Sequence, residues 1–146
     1  METINRDSGR RSGFHVAVVG CETHSRPAAE DYAQALINKQ LTDDIDIFLE
    51  LMGSYFGTPT PKYVSGTEEE FYGAFKAWEK CKAPEIMFYF SNLAPSIRDI
   101  GPHQFKLVKD FKTTIASKGV YYFEYENELS LRLDLHPHIS QAIKRS

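Results

Sequence analysis

The sequence predicts an α/β domain on a mostly parallel sheet of about four strands. Short apolar runs of strand length recur at residues 14–21, 45–52, 85–90 and 120–125. Between the later runs lie segments whose apolar residues repeat at helical spacing. Strand and helix alternating in this way is the pattern of parallel strands joined by helical crossovers.

Each element has its own signal. Residues 1–13 are polar, with Asn5, Asp7, Ser8, Gly9, Arg10, Arg11 and Ser12, and read as a loop or a helix end. The run FHVAVVGC at 14–21 has three valines and a glycine near its end, as a buried strand does. Pro27 follows, and residues 28–41 place Ala33, Leu36, Ile37 and Leu41 at helical spacing. IDIFLELM at 45–52 is the second strand, closed by Gly53. Gly57, Pro59, Pro61 and Gly66 make residues 53–66 a loop. Thr67 then opens a helix with Glu68, Glu69 and Glu70 in its first turn, where the helix dipole favours acids. Its apolar face is Phe71, Ala74, Phe75 and Trp78, and Pro84 ends the segment. EIMFYF at 85–90 is the third strand, followed by a loop over 91–101. Pro102 suits a first helical turn, Phe105, Val108, Phe111 and Ile115 form the stripe, and Gly119 suits the C-cap. VYYFEY at 120–125 is the fourth strand. The tail has two readings. Leu129, Leu131, Leu133 and Leu135 alternate like a strand, whereas Leu129, Leu133, Ile139 and Ile143 fit a helix bent at Pro137.

Composition narrows the class. At 146 residues the chain fits a single domain. A net charge of -3 gives no basic face for nucleic acid. No apolar run approaches the ~20 residues of a membrane span. The N-terminus lacks the apolar core of an export signal, so Cys21 and Cys81 read as reduced thiols of a cytoplasmic protein. No Walker loop, GxGxxG or HExxH occurs, and His136-Pro137-His138 has no supporting cluster for a metal. Neither cysteine has a His–Asp context for nucleophilic work.

In open α/β sheets ligands bind beyond the carboxyl ends of the strands. That rule gathers residues 20–26, 53–66 and 91–101 on one rim. The 53–66 loop feeds into a helix N-terminus, whose unpaired N–H groups favour anions. Tyr55, Gly57, Thr58, Ser65, Gly66 and Thr67 are the binding candidates there, with Glu22 and His24 from the first rim segment. Glu70 lies one turn into the helix, and Thr67-x-x-Glu70 also fits a capping box. Tyr55, Phe56 and Tyr63 are placed either to stack on a ligand ring or to pack the core. Asp99, His103 and Gln104 read as caps of the following helix.

Several segments resemble a bacterial TIR-like domain family of unknown function, whose members precede NACHT-type ATPase or repeat modules. They are GCETHSRP (20–27), QALINKQL (34–41), DIDIFLELMGSYFGTPTP (44–61), SGTEEEFYGA (65–74) and EIMFYF (85–90). The resemblance covers residues 1–143 and implies a flavodoxin-like, TIR-related fold of three layers. The family begins with a strand and a long helix that this chain lacks, so it looks truncated, with METINRDS resembling the end of that helix. The family often has Trp at Cys21 and Arg near Tyr55.

The Gly66-Thr67-Glu68-Glu69-Glu70 step is similar to one in nucleoside 2-deoxyribosyltransferases. Deoxyribosyltransferases exchange the base on a deoxyribose and TIR-type enzymes cleave the nicotinamide–ribose bond of NAD, so the two resemblances together imply that Glu70 works on an N-glycosidic bond, with NAD as a candidate substrate rather than a cofactor. Breaking that bond builds positive charge on the ribose, which a fixed carboxylate stabilises. Nicotinamide is already cationic before it leaves, so one carboxylate suffices. Two other readings stay open: a non-catalytic module that self-associates, binds a partner domain or senses a nucleotide, and a deoxyribosyltransferase-like enzyme.

Overall fold

The computed structural model describes residues 16–18, 45–93 and 97–145. The chain divides into two compact units, Met1–Asp44 with Arg132–Ser146, and Ile45–Leu131. The described elements are β1 (Ile47–Met52), α1 (Gly66–Cys81), β2 (Glu85–Ser91), α2 (Ile97–Ser117), β3 (Tyr122–Tyr125) and α3 (Glu128–Arg145). This is an α/β arrangement with a small open sheet, wholly parallel, in the order β1-β2-β3. Of the strand expected at 14–21, residues 16–18 are described, and they lie outside any strand. The helix expected at 28–41 lies outside the described residues.

A strand order that follows the chain, with crossovers of one hand, sends both crossover helices to one face of the sheet. The rings bear this out. Phe71 of α1 meets Phe88 of β2 and Phe111 of α2 at 5.5 Å each, and Phe88 meets Phe111 at 5.8 Å. Alternate residues of a strand share a face, and the register pairs Phe48 with Ile86, Glu50 with Phe88 and Met52 with Phe90. The core beneath the helices is Met52, Phe56, Phe71, Phe75, Phe88, Phe90, Val108, Phe111 and Ile115. Both expected helical stripes are therefore buried, except at one end. Phe105 is exposed, because its neighbour Gln104 takes the inward position in that turn and binds the preceding loop.

The helix ends follow local chemistry. Gly119 has φ +77° and closes α2 with paired bonds, Gly119 N–H to Ala116 O at 3.0 Å and Val120 N–H to Ile115 O at 3.1 Å. That is a Schellman motif at the glycine expected to form it. Gly119→Ala forces a side chain into the left-handed region and is expected to cost about 1–2 kcal/mol, read as a lower urea midpoint with an unchanged slope. At the other end, Gly101 with φ 72° and ψ 149° separates a turn at 97–100 from the helix that Pro102 begins. Proline disfavours helical backbone at the residue before it, so the break falls there. The turn lies within the stretch read as loop.

The ambiguous tail is a helix, α3. Asn127 Oδ1 accepts from Ser130 N–H at 2.9 Å, and Ser130 Oγ accepts from Asn127 N–H at 3.2 Å. This reciprocal cap outweighs the alternating leucines. The expected helical stripe is only partly right: Leu129 and Leu133 are exposed, while Ile139 and Ala142 are buried.

Candidate active site

The loop of residues 53–65 leaves the carboxyl end of β1 and enters α1. A turn ties its middle, with Thr60 N–H to Tyr63 O and Tyr63 N–H to Thr60 Oγ1 both at 3.0 Å. Gly57 has φ +103°, and a Cβ there would stand 3.5 Å from Ser65 Cβ, so the two ends of the loop pass closely. Gln104 clamps it from α2: its Oε1 accepts from Phe56 N–H at 2.8 Å, and its Nε2 donates to Gly57 O at 3.5 Å. The side chain read as a helix cap thus joins the segments after β1 and β2, 48 residues apart. It ties one expected rim segment, 53–66, to the first turn of the helix that follows another; Glu22 and His24, on the third, lie outside the described residues.

The cap of α1 differs from the expected one. Ser65 is the N-cap, and its fully buried Oγ accepts from Glu68 N–H at 3.1 Å. Glu68 Oε2 accepts in turn from Val64 N–H at 2.9 Å. The capping pair is therefore Ser65 and Glu68, not Thr67 and Glu70. Both pairs have the same spacing, and the burial of Ser65 selects the first. Gly66 opens the helix, and Thr67 is half-buried in its first turn. Capping does not account for Glu70.

Glu70 instead acts on a residue that sequence reading passed over. Glu50 projects from β1 on the face covered by the crossover helices, between Phe48 and Met52 and opposite Phe88. Burial first, and the charge of Glu70 second, raise its carboxyl from 4.5 to about 7. The negative charge of Glu70 on α1 thus reaches Glu50 on β1, and Glu50 stays partly protonated at neutral pH.

The aromatic candidates separate. Phe56 is core, 5.1 Å from Phe111. Tyr63 stacks on Tyr72 at 5.6 Å, within the protein rather than on a ligand. Burial, then Glu68 and Tyr63, holds the Tyr72 hydroxyl above its ordinary value. Tyr55 is exposed, as is Thr58, and both remain accessible on the rim. At the far side of the sheet, Glu124 of β3 accepts from Lys112 Nζ and from Asn92 Nδ2. Those bonds, the Lys112 one first, hold its carboxyl below the usual carboxylate range. The cluster fastens the end of β2 to β3 and α2.

Cys81 is an exposed free thiol at the end of α1. Among the described residues no three of His, Cys, Asp and Glu could hold a metal ion, and no helix is long and apolar enough to cross a membrane.

No protein of curated function and no solved structure matches the chain. A family-level comparison matches residues 11–139 to the domain of unknown function DUF4062. The match takes in β1, α1, β2, α2 and β3 whole, with Glu50, Glu70 and the loop between them, and the chain belongs to that family.

Proposed function

We propose that this domain cleaves the N-glycosidic bond of NAD or a related nucleotide, with Glu70 as the key carboxylate. The observation that supports the reading is that Ser65 and Glu68 do the capping, which leaves Glu70, one turn into the helix that the 53–65 loop enters, with another role. A carboxylate held there has a chemical use. The C1′–N bond breaks with its electron pair leaving on nicotinamide, positive charge gathers on the ribose, and Glu70 stabilises it. Water then adds to C1′ and loses a proton. Gly57, Thr58 and the N-terminal turn of α1 are the places for the diphosphate, and Tyr55 for a ring.

The wholly parallel sheet with both crossover helices on one face suits a flavodoxin-like, TIR-like arrangement, and the function suits a cytoplasmic signalling or effector module. The interaction-module reading draws on Tyr121, which is 86 % exposed beside β3. One experiment separates the two. Purified chain is incubated with NAD and nicotinamide is followed by chromatography, beside Glu70→Gln. Release should fall at least ~100-fold in the variant, the scale of losing one preorganised electrostatic group, with melting nearly unchanged. Well-folded wild type that releases no nicotinamide would end the reading for NAD.

A further inference from the structure

We propose that Glu50 is a general acid in this site, and that the substrates include N-glycosides whose departing base must take up a proton: purine and pyrimidine nucleosides or nucleotides. The inference rests on the glycosidase reading above and deepens it.

The placement of Glu50 is the first argument. On its face of β1 and β2 the neighbours are Phe48, Met52, Ile86, Phe88 and Phe90. The core of α2 above the sheet is Val108, Phe111 and Ile115. An aliphatic side chain at residue 50 would serve the fold better. Second, Glu50 makes no hydrogen bond or ion pair among the described residues. The residue is half-buried rather than sealed in the core. Third, the charge that acts on it from α1 is Glu70; β1, β2 and the core of α2 present only apolar groups to this face. Among the described residues no cation is placed to hold Glu50 as a carboxylate, and burial keeps a large share of it protonated near neutral pH.

Two carboxyls in unlike states divide the work of glycoside cleavage. Glu50 donates its proton to a ring nitrogen or exocyclic oxygen of the base as the C1′–N bond breaks and its electron pair passes to the base. Glu70 stabilises the cationic ribose. Glu50, now ionised, takes a proton from the water that adds to C1′. The sum is nucleoside plus water giving free base and ribose, with both carboxyls restored. Nicotinamide departs without needing that proton, so NAD is a built-in control.

The test measures base release from inosine and from NAD by the full chain between pH 5 and 9, with wild type, Glu50→Gln and Glu70→Gln. Wild type should release hypoxanthine at a rate that falls above about pH 7. Glu50→Gln should lower inosine cleavage ~100-fold or more, the usual contribution of a positioned acid, and NAD cleavage much less. Glu70→Gln should lower both. Cleavage of NAD alone, or inosine cleavage indifferent to Glu50→Gln, overturns the general acid and leaves the glycosidase reading standing. A folded wild type that cleaves neither overturns both.

Discussion

Phe71→Ala is expected to destabilise the fold by about 3–5 kcal/mol, the range for deleting a buried aromatic ring. Phe71 is wholly buried, and its ring lies 5.3–5.6 Å from those of Tyr72, Phe75, Phe88 and Phe111. It is the point where α1, α2 and the sheet meet. Its edge-on contacts with Phe88 and Phe111 are nearly perpendicular, at 80° and 88°, a favourable geometry for aromatic quadrupoles. Alanine removes all four contacts and opens a cavity between aromatic walls that cannot close without moving both helices. Since whole domains are stable by only ~5–15 kcal/mol, the variant should unfold at a much lower urea concentration. Phe71→Leu, which refills most of the volume, should recover more than half of the loss. A midpoint unchanged in the alanine variant would mean that this aromatic cluster does not hold α1 to the sheet.

Glu50→Gln is expected to act in the opposite sense, and only above mildly acidic pH. The folded-state value of Glu50 is raised, from 4.5 to about 7. Below the unfolded value both states hold the proton, and Glu50 costs nothing. Between the two values the unfolded chain has ionised while the folded one still carries the proton, so stability falls as pH rises. Above the folded value both are ionised, and the full cost remains, on the order of 3 kcal/mol for a shift of this size. Glutamine, which never ionises, removes the cost. The variant should therefore be more stable than wild type at pH 8 and equal to it near pH 4. Glu124 has the reverse linkage: its lowered value adds stability that is lost in acid, and it cancels in the comparison because both proteins contain it. Urea unfolding at the two pH values reads the effect, and an equal gap at both would show that ionisation of Glu50 is not its source. A residue that weakens the fold at neutral pH is what a site would retain for chemistry.

The order of elements from β1 to β3 was legible because each carries redundant local signals. Phe71, Ala74 and Phe75 repeat at helical spacing, EIMFYF is bounded by Pro84, and Gly119 stands where a helix must stop. The tail was less legible because four leucines alternate at one period and fit a helix at another; the Asn127–Ser130 cap decides it. Of the site, Glu70 and the loop before it could be found from the Gly-Thr-x-x-Glu step. The capping assignment could not, since Ser65-x-x-Glu68 and Thr67-x-x-Glu70 are the same pattern two residues apart.

Glu50 and Gln104 were hidden for different reasons. In IDIFLELM, Asp46 and Glu50 alternate with Ile47, Leu49 and Leu51, so a lone strand places the acids on its solvent side. Pairing with Ile86, Phe88 and Phe90 reverses that and makes the acidic side the core side. Gln104 looks like any polar residue in a first helical turn, and its partners Phe56 and Gly57 lie far back in the chain. By itself, then, the sequence determined the α/β class, the helix stops and the placement of Glu70, because periodicity and turn chemistry act over a few residues. Only the tertiary structure decided which face of β1 is buried, that the charge of Glu70 reaches Glu50, and that Gln104 holds the loop, because burial and charge coupling depend on neighbours distant in the chain.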